Sequence, residues 1–504
     1  MSLYDVIVIG SGHNGMVCAL YLRRMGLRVA VLEAEQSTGG MARTTAPCLP
    51  GFLHNPHANY LFYNDIHPVM RDFALQAHGL STVTPLAQFG LPARDGAPPV
   101  IFYRRDHAEL TYRSLCRHSR HDARLFARLK DRADSLEPAL AQAIYAVPSR
   151  QSLARLADAV REKFRDICDP RNLGGGTAYG LIEEMFRTAA VKVALATMAA
   201  EWGTSIDEPG SDIAFLATTL WMVGRCQLPL GGMQSVSVAM ERVARAIGVN
   251  IASGVEVTRL HYEAGALAGV ETRAHGIISA PVVVSSASLE QSLLIFPGEG
   301  HVPSSAIERV RSLEARAAPI IATTNICLND VPHYKSAKFE PQIDQCFRVI
   351  IGLDNLEDLV RHGSDVSQGI PPSPGGAVRI NSLWDAAQAP FGHHSAGIDT
   401  SMPDSIFFSD RELELIEAAY PDELLTLWSA YAPNVRSIAM ASHMEPVRPY
   451  QRKMLLDIEG WQYRTPVDGY YVAGAGTYPG GGVHGACGYN AFTQIQADLA
   501  ARHD

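Results

Sequence analysis

The sequence predicts an α/β fold in which a Rossmann-type dinucleotide-binding domain is interleaved with a second, α+β domain. Three observations carry this prediction. A chain of 504 residues is too long for one ordinary hydrophobic core. Its first 33 residues read as strand, glycine-rich turn, helix and strand, which is one βαβ unit. Patterns of this kind return near residue 230 and near residue 469, after long stretches of different character.

The glycine-rich turn of the first unit has the spacing of a dinucleotide-binding turn. Gly10, Gly12 and Gly15 follow a strand and open a helix. Glycines there allow a tight turn and let a pyrophosphate approach backbone N–H groups at the helix N-terminus. Glu33 ends the next strand, where a carboxylate accepts hydrogen bonds from ribose hydroxyls. We therefore predict dinucleotide binding and disfavour a turn that serves helix packing alone.

The residues after Glu33 resemble the extended FAD fingerprint of the amine oxidase and phytoene desaturase superfamily. A second glycine pair, Gly39 and Gly40, precedes Arg43, and a site for NAD does not require this addition. The resemblance implies a glutathione-reductase-like FAD-binding domain in which these three residues lie along the flavin and its phosphates. A surface turn with a solvated arginine is the alternative.

The segment 464–491 resembles the closing FAD motif of phytoene desaturase-related oxidoreductases, most of all in the branch of pyridine-nucleotide-disulphide-oxidoreductase domain proteins. Its glycine-rich turn would bring backbone against the planar flavin. The N-terminus of the following helix could offer N–H groups to the charge that develops on the flavin upon reduction. The resemblance implies cofactor contacts at six positions, which are Gly474, Gly476, Gly481, Gly482, Val483 and Ala486.

A third segment carries the resemblance at the middle of the chain. Residues 229–233, with the sequence PLGGM, precede a predicted helix, and Val255 and Val257 follow it. In the superfamily such a segment leads back into the FAD domain, and the valine pair brackets the adenine through backbone contacts. The resemblance therefore implies that Val255 and Val257 contact the cofactor.

Composition and pattern divide the chain into two interleaved domains. Residues 1–75, 225–290 and 450–504 are predicted to form the FAD-binding domain. Residues 76–224 and 291–449 are predicted to form the substrate domain, in which the first part is a mostly helical insertion without strand–helix alternation.

Within the substrate domain, apolar periodicity predicts helices over 122–146 and 181–200 and strands over 318–327 and 347–353. Residues 361–405 are rich in Gly, Pro, Ser and His, and they predict a long loop interrupted by one strand.

One residue is a candidate for catalysis. Relatives often carry a carboxylate after the early Pro-Gly-Phe turn, whereas this sequence has Asn55 there. His54 or His57, on either side of it, could accept a proton near the flavin. His57 is the candidate, and a structural hydrogen-bonding role is the alternative. Cys487 in the closing motif could in principle tether the flavin, but a buried, inert thiol is favoured.

The single dinucleotide fold implies that an organic substrate reduces the flavin and that oxygen or quinone reoxidises it. We expect hydride removal from a small hydrophobic or aromatic substrate. The alternatives are oxidation of a C–N bond, a redox-neutral saturase or isomerase reaction, and non-catalytic flavin binding. The aromatic and apolar residues that would suit a substrate cavity are Phe215 to Val223, Trp384, Phe391, Phe407, Phe408 and Trp428. Packing in the hydrophobic core explains most of these aromatic residues equally well.

Composition also excludes several classes of function. A formal net charge of −9 without a basic concentration gives nucleic acid no electrostatic reason to bind. The eight cysteines show no metal-ligand spacing, so no metal centre is expected. No export signal or membrane span is visible, which predicts a cytoplasmic protein. Peripheral membrane contact and the oligomeric state are left open.

Overall fold

The strands in the described part of the protein form four sheets. The structure is a computed structural model that describes residues 3–202, 206–315, 317–446 and 463–502. Its strands, in chain order, are β1 (Val6–Ile9), β2 (Val29–Glu33), β3 (Thr82–Val83), β4 (Ala87–Leu91), β5 (Val100–Tyr103), β6 (Leu228–Pro229), β7 (Asn250–Ser253), β8 (Val257–Glu263), β9 (Ala266–Thr272), β10 (Gly276–Ser279), β11 (Val282–Ser285), β12 (Ile320–Leu328), β13 (Arg348–Ile351), β14 (Gly376–Ile380), β15 (His394–Met402), β16 (Ala439–Met444) and β17 (Tyr470–Val472).

Helices cover the sheets and build most of the region between β5 and β6. In chain order they are α1 (His13–Arg24), α2 (Pro68–Asp72), α3 (Ala108–Cys116), α4 (Arg120–Asp134), α5 (Glu137–Ile144), α6 (Arg150–Phe164), α7 (Ala178–Met185), α8 (Ala189–Glu201), α9 (Ser211–Ala214), α10 (Leu220–Met222), α11 (Gln234–Ala246), α12 (Ser304–Glu314), α13 (Leu356–Ser367), α14 (Asp410–Tyr431), α15 (Val435–Ile438) and α16 (Ala486–Ala501). In the described part of the chain, none of them is long and apolar enough to cross a bilayer.

A five-stranded parallel sheet, in the order β17-β11-β1-β2-β7, confirms the predicted Rossmann-type α/β architecture. Every residue of β1, β2 and β11 is buried, which is typical of parallel strands covered by helices on both faces. Three separate segments of the chain supply these strands, while the predicted domain boundaries stay a prediction.

Helices α1 and α16 meet over this sheet at a glycine. A Cβ atom on Gly488 would lie 2.0 Å from the carbonyl oxygen of Asn14, so a side chain there has no room. Because each helix follows a glycine-rich turn, this close packing brings the two turns to the same edge of the sheet.

A seven-stranded sheet forms the second layer of the molecule, in the order β16-β12-β15-β14-β13-β4-β5. Neighbouring strands are antiparallel except β4 and β13, which are parallel. Residues 76–224, predicted to be a mostly helical insertion, thus also supply β4 and β5 to this sheet. All residues of β4 and β5 are buried, and so neither strand shows the polar alternation by which a sequence reveals a strand.

The prediction of a long loop over 361–405 is wrong in part. Helix α13 extends into its start, and β15 lies at its end as a central strand of the second sheet. The sequence of β15, HSAGIDTSM, is too polar to resemble a buried strand. The side chain of its Asp399 is nonetheless only 8% exposed, and Arg379 on the neighbouring strand pairs with it.

Each long helix predicted in the insertion is two helices. The stretch 122–146 breaks between α4 and α5, and the stretch 181–200 breaks between α7 and α8. The second break is held by the buried carboxylate of Asp122, which accepts hydrogen bonds from the backbone N–H groups of Arg187 and Thr188 at 3.0 and 2.9 Å. A single carboxylate thus caps one helix and docks it on another.

Candidate dinucleotide and substrate site

The predicted dinucleotide turn lies between β1 and α1. Gly10 has a φ of +90°, a conformation that glycine adopts without strain. A Cβ on Gly15 would lie 2.3 Å from the carbonyl oxygen of Gly10, so the turn closes on the helix only because this position lacks a side chain. Gly12 is the residue before α1 and pairs in a bridge with Gly39. The three predicted glycines therefore each have a distinct geometric role.

The Glu33 carboxylate lies against this turn. One of its oxygens accepts hydrogen bonds from the backbone N–H and the hydroxyl of Ser11, at 2.7 and 2.6 Å. The other accepts the N–H of Glu35 at 3.0 Å. The carboxylate is thus held where the first turn and the end of β2 meet. Ser11 was not expected as part of the site, although it lies inside the glycine motif.

The segment that carries Val255 and Val257 lies beside Glu33. The N–H of Val255 donates to the carbonyl oxygen of Glu33 at 2.8 Å, which fixes this segment beside the end of β2. Both valine side chains are buried in the same apolar cluster as Ile7 and Leu32. Their predicted backbone contact with an adenine stays a prediction.

The second glycine pair packs directly on the first turn. Gly39 and Gly40 have φ values of +129° and +54°, and a Cβ on Gly40 would lie 3.1 Å from the Cα of Gly12. Arg43 Nε donates to the carbonyl oxygen of Gly40 at 2.8 Å. The guanidinium is therefore positioned by the glycine pair beside the predicted site.

The closing motif divides into two parts. A Cβ on Gly474 would lie 2.6 Å from the carbonyl oxygen of Ala287, and a Cβ on Gly476 would lie 2.6 Å from Leu289 Cγ. These two glycines therefore permit close packing of the chain on itself. By contrast, a Cβ on Gly481 would meet nothing within 4 Å.

The second part of this motif leads into the last helix. Gly482 has a φ of +114°, Val483 is 9% exposed, and Ala486 begins α16. The segment 481–486 thus brings unobstructed backbone and a helix N-terminus to the edge of the parallel sheet.

Three histidines, His13, His67 and His484, lie around this segment, and the side chains of His67 and His484 are buried. Nδ1 of His484 accepts a hydrogen bond from the N–H of Ala486 at 3.0 Å. Nε2 of the same ring lies 3.1 Å from the carbonyl oxygen of Gly481. Within the described residues, His13 Nε2 and both ring nitrogens of His67 have no hydrogen-bond partner. Buried polar atoms are rarely left unpaired, so these nitrogens fit a site whose polar partner is a bound molecule.

Burial lowers the pKa values of these histidines, to about 4 for His13, about 3 for His67 and about 4 for His484. The three imidazoles are therefore neutral near pH 7, and each can donate one N–H group. His13 and His484 lie inside the glycine motifs, whereas nothing in the sequence around His67 signals its place.

His57, the predicted proton acceptor, lies near Arg43 and Asp399. Burial, and then the nearby Arg43 charge, lower its pKa to about 4, while Asp399 opposes this shift. A group with so low a pKa is neutral near pH 7 but is a weak base. The geometry thus allows His57 to accept a proton and makes it less basic than an ordinary histidine.

Asn55 has a defined structural role where relatives have a carboxylate. Its side-chain oxygen accepts hydrogen bonds from the hydroxyl of Thr44 at 2.8 Å and from the N–H of Met233 at 3.0 Å. A Cβ on Gly232 would lie 2.3 Å from the Thr44 hydroxyl oxygen. The amide therefore joins the Arg43 loop to the segment that leads into α11.

One face of the second sheet carries buried charges. Arg379 pairs with Asp399 at 3.0 Å, and Asp399 also accepts from Asn59 and Thr323 at 3.0 and 2.8 Å. Arg348 pairs with Glu201 of α8, and burial lowers its pKa to about 9. The Nε and Nη1 atoms of Arg348 have no partner among the described residues, although both are buried.

Aromatic side chains gather around Arg348. Its guanidinium lies 4.4 Å from the ring centre of Tyr60, which packs against Phe62 and Phe347 at 4.5 and 5.4 Å. Trp202 contacts Phe62 at 4.9 Å. These rings form an apolar wall beside a charged group.

The aromatic residues expected at the substrate cavity do not converge. Trp428 is fully buried in the core, where its Nε1 donates to the Tyr334 hydroxyl at 2.9 Å. Phe391 is fully exposed, and Phe407 is 42% exposed. Among the residues expected at the cavity, Trp384 is the one that packs against the cluster containing Phe347. Aromatic composition could not separate core, surface and cavity positions, because all three use the same residue types.

The thiol of Cys487 is buried beneath the glycine-rich segment, where it donates to the carbonyl oxygens of Gly480 and Thr477 at 3.4 and 3.5 Å. Burial raises its pKa to about 11, so it is protonated near pH 7. This state matches the inert thiol that the sequence favoured.

Comparisons with known proteins agree with this geometry. Residues 8–76 match the model of the NAD(P)-binding Rossmann-like domain family. The pyridine nucleotide-disulfide oxidoreductase domain-containing protein 2 of Rattus norvegicus is 26% identical, over 98% of this chain and 94% of its own length. A limonene dehydrogenase subunit from Castellaniella defragrans is 24% identical, over 98% and 95%.

Solved structures share the fold across the whole chain. An oxidoreductase from Methanosarcina mazei has a TM-score of 0.61 at 17% identity and covers 98% of this chain and 99% of its own. A triple mutant of putrescine oxidase has a TM-score of 0.58 at 14% identity, with 99% of each chain covered.

The fold and the dinucleotide-binding domain thus define an oxidoreductase built around a Rossmann-type sheet. The pyridine nucleotide-disulfide oxidoreductase domain-containing relative agrees with the branch that the closing motif resembles, and the fold is shared with putrescine oxidase.

Proposed function

We propose that the chain binds one FAD and uses it to remove a hydride from a small hydrophobic or aromatic substrate, after which oxygen or a quinone accepts the electrons. The arrangement around segment 481–486 carries the cofactor proposal. A Cβ on Gly481 would meet nothing within 4 Å, and buried ring nitrogens of His13 and His67 have no hydrogen-bond partner among the described residues. A planar polar group such as a flavin fits such surroundings.

The residues that would hold FAD lie along one path. Glu33 would bind the ribose, and the turn from Gly10 to Gly15 would bind the pyrophosphate at the N-terminus of α1. Gly39, Gly40 and Arg43 would follow the phosphates toward the flavin, and the start of α16 would lie at its far end. When bound, FAD supplies a two-electron acceptor, which no side chain of the protein can replace.

The protein's own groups would orient the substrate and exclude water. The aromatic wall formed by Tyr60, Phe62 and Phe347 offers an apolar surface. His57 is neutral near pH 7 and could take the proton that accompanies hydride loss. The name of the Castellaniella relative, a limonene dehydrogenase, supports an unsaturated hydrocarbon or a similar substrate.

Oxidation of an amine is the second candidate, supported by the fold shared with putrescine oxidase. One observation weighs against a cationic amine. The carboxylates of Glu201 and Asp399, beside the arginines of the second sheet, are each paired with an arginine. Binding of an ammonium group to either carboxylate would compete with this arginine, and a guanidinium left without its partner in a buried site is costly.

Anaerobic reduction of the purified yellow protein tests the proposal. We expect denaturation to release one FAD per chain, and we expect monocyclic terpenes or aromatic hydrocarbons to bleach the flavin while aliphatic amines do not. Oxygen or a soluble quinone should restore the colour. Bleaching by amines alone would establish the second candidate. A protein that cannot be reconstituted with FAD would contradict the cofactor proposal.

A flavin that no substrate bleaches leaves two outcomes, which a second measurement separates. Conversion of substrate by the prereduced protein, without net oxidation, would indicate a saturase or isomerase. A lack of conversion in either redox state would indicate a flavin-binding protein without catalysis.

A further inference from the structure

We propose that Cys48, His54 and Cys327 form a binding site for one Zn²⁺ ion, which fastens the loop after Arg43 to the second sheet. The ligand atoms of these three residues all lie within 4.8 Å of one another. They form the one group of three such side chains that gathers in the described ranges of the chain. The sequence gives no sign of the site, because residue 327 is far from the other two along the chain.

The separations within the cluster suit tetrahedral zinc. Bonds of about 2.3 Å to sulfur and about 2.0 Å to nitrogen place neighbouring ligand atoms about 3.5 to 3.8 Å apart. Cys327 Sγ lies 3.9 Å from His54 Nε2, and no two of the three ligand atoms are more than 4.8 Å apart, so shifts of about 1 Å or less would close the site around an ion. Two thiolates and one imidazole are ligands that zinc prefers over calcium or magnesium.

Backbone structure positions each ligand. His54 pairs with Thr45 in an antiparallel bridge, with N–O distances of 2.7 and 2.9 Å, which folds the loop back on itself. Cys48 lies at the end of this folded loop, and its thiol is 3.3 Å from the carbonyl oxygen of Asn325. Cys327 lies two residues further along β12, between β15 and β16. The site therefore joins the folded loop to a central strand of the second sheet.

His54 is 2% exposed and Cys327 is fully buried, whereas Cys48 is half-buried. The opening beside Cys48 leaves an approach for the ion and for a fourth ligand. Glu445, whose carboxylate accepts a hydrogen bond from Asn325 Nδ2 at 2.7 Å, is an acidic group on this side, and its charge acts on Cys48. A water molecule or this carboxylate would complete the tetrahedron.

The consequence of the site lies in the loop that it fastens. Residues 44–57 connect Arg43 to Asn55, which holds the segment before α11, and to His57. A zinc ion at the base of the loop would fix these residues without contacting the substrate. This role is structural, and it does not depend on whether FAD or another dinucleotide binds.

Metal analysis of the holoprotein tests the site. The protein is incubated with Zn²⁺ alone, desalted, and its zinc content is measured by inductively coupled plasma mass spectrometry. We expect one Zn²⁺ per chain, and Cys48→Ser and Cys327→Ser should each weaken Zn²⁺ binding by at least about tenfold. Cys116→Ser is the matched control, since Cys116 is a half-buried thiol outside the cluster. It should retain the parental zinc content.

A second measurement keeps the test independent of variant folding. Crystals of the zinc-loaded parent protein should show an anomalous difference peak at the zinc absorption edge between the three side chains. The proposal is overturned by a parent protein that keeps no zinc, by variants that keep the parental content, or by a Cys48–Cys327 disulfide in protein prepared without reductant.

Discussion

At the scale of single residues, the carboxylate of Glu33 lies against the first glycine turn. Hydrogen bonds from the backbone N–H and the hydroxyl of Ser11 orient the carboxylate toward this turn. Such preorganisation lowers the cost of binding, because the side chain need not be ordered again.

Glu33→Ala should weaken FAD binding about tenfold. Each lost ribose hydrogen bond contributes about 0.5 to 1.5 kcal/mol, and the carboxylate can make two of them. Equilibrium dialysis of FAD against the apoprotein measures the change. Glu35→Ala, at an exposed position two residues away, should bind FAD as the parent does. An FAD affinity equal to that of the parent in the Glu33 variant would contradict the prediction that the carboxylate at the end of β2 binds the ribose.

His57→Ala should slow flavin reduction by the substrate about 100-fold while the FAD spectrum is unchanged. A base whose pKa is about 4 is fully deprotonated above pH 6, so the parent rate should be flat between pH 6 and 9 and fall only in acid. Stopped-flow reduction across pH measures both. His275→Ala, at an exposed histidine, is the control. A parental rate in the His57 variant would leave this side chain a structural role only.

The buried histidines should make the apoprotein sensitive to acid. Their folded pKa values, about 4, 3 and 4, lie below the unfolded value, so the unfolded chain binds more protons. The neutral histidines therefore contribute fully to the free energy of unfolding above pH 6.5, and this contribution is lost as the pH falls. The free energy of unfolding should fall between pH 7 and pH 5, and His67→Leu should make this fall smaller by about 1 to 2 kcal/mol. Urea unfolding at both pH values measures it, and an unchanged loss would contradict the pKa of His67.

At the scale of elements, the contact between α1 and α16 brings the two glycine motifs together. Gly488→Ala should destabilise the protein by about 1 to 3 kcal/mol and weaken FAD binding, because a methyl group would push the helices apart. Gly363→Ala is the matched control. It lies in α13 with open space around it, and it should stabilise the protein by about 0.5 to 1 kcal/mol. Thermal unfolding of both variants measures the difference, and equal shifts would contradict the proposed contact.

Elements with a strong local signal could be predicted from the sequence, whereas elements defined by distant partners could not. The βαβ unit and the closing strand and helix carry their own periodicity and turn residues. Strand β15 does not, because its polar residues are buried only through partners such as Arg379. For the same reason the sequence indicates Glu33 and Arg43 but misses His67 and the group formed by Cys48, His54 and Cys327.

At the scale of the whole molecule, the described part of the chain contains one parallel sheet of the Rossmann type. We therefore expect NADH and NADPH to reduce the flavin slowly or not at all, because a second nucleotide needs a second such site. Anaerobic mixing with either nucleotide, followed at the flavin absorbance, measures the rate. Rapid stoichiometric bleaching would contradict the interpretation of a single dinucleotide site.

The order of the parallel sheet has a consequence for how the chain folds as it is synthesised. Strand β1 lies between β2 and β11, and β11 lies between β1 and β17. Strand β1 therefore keeps one open edge until β11 leaves the ribosome, and β11 keeps one until β17 follows. Contacts between such distant segments form slowly, and open strand edges invite misassociation. The parallel sheet is therefore complete only once β17 has been made.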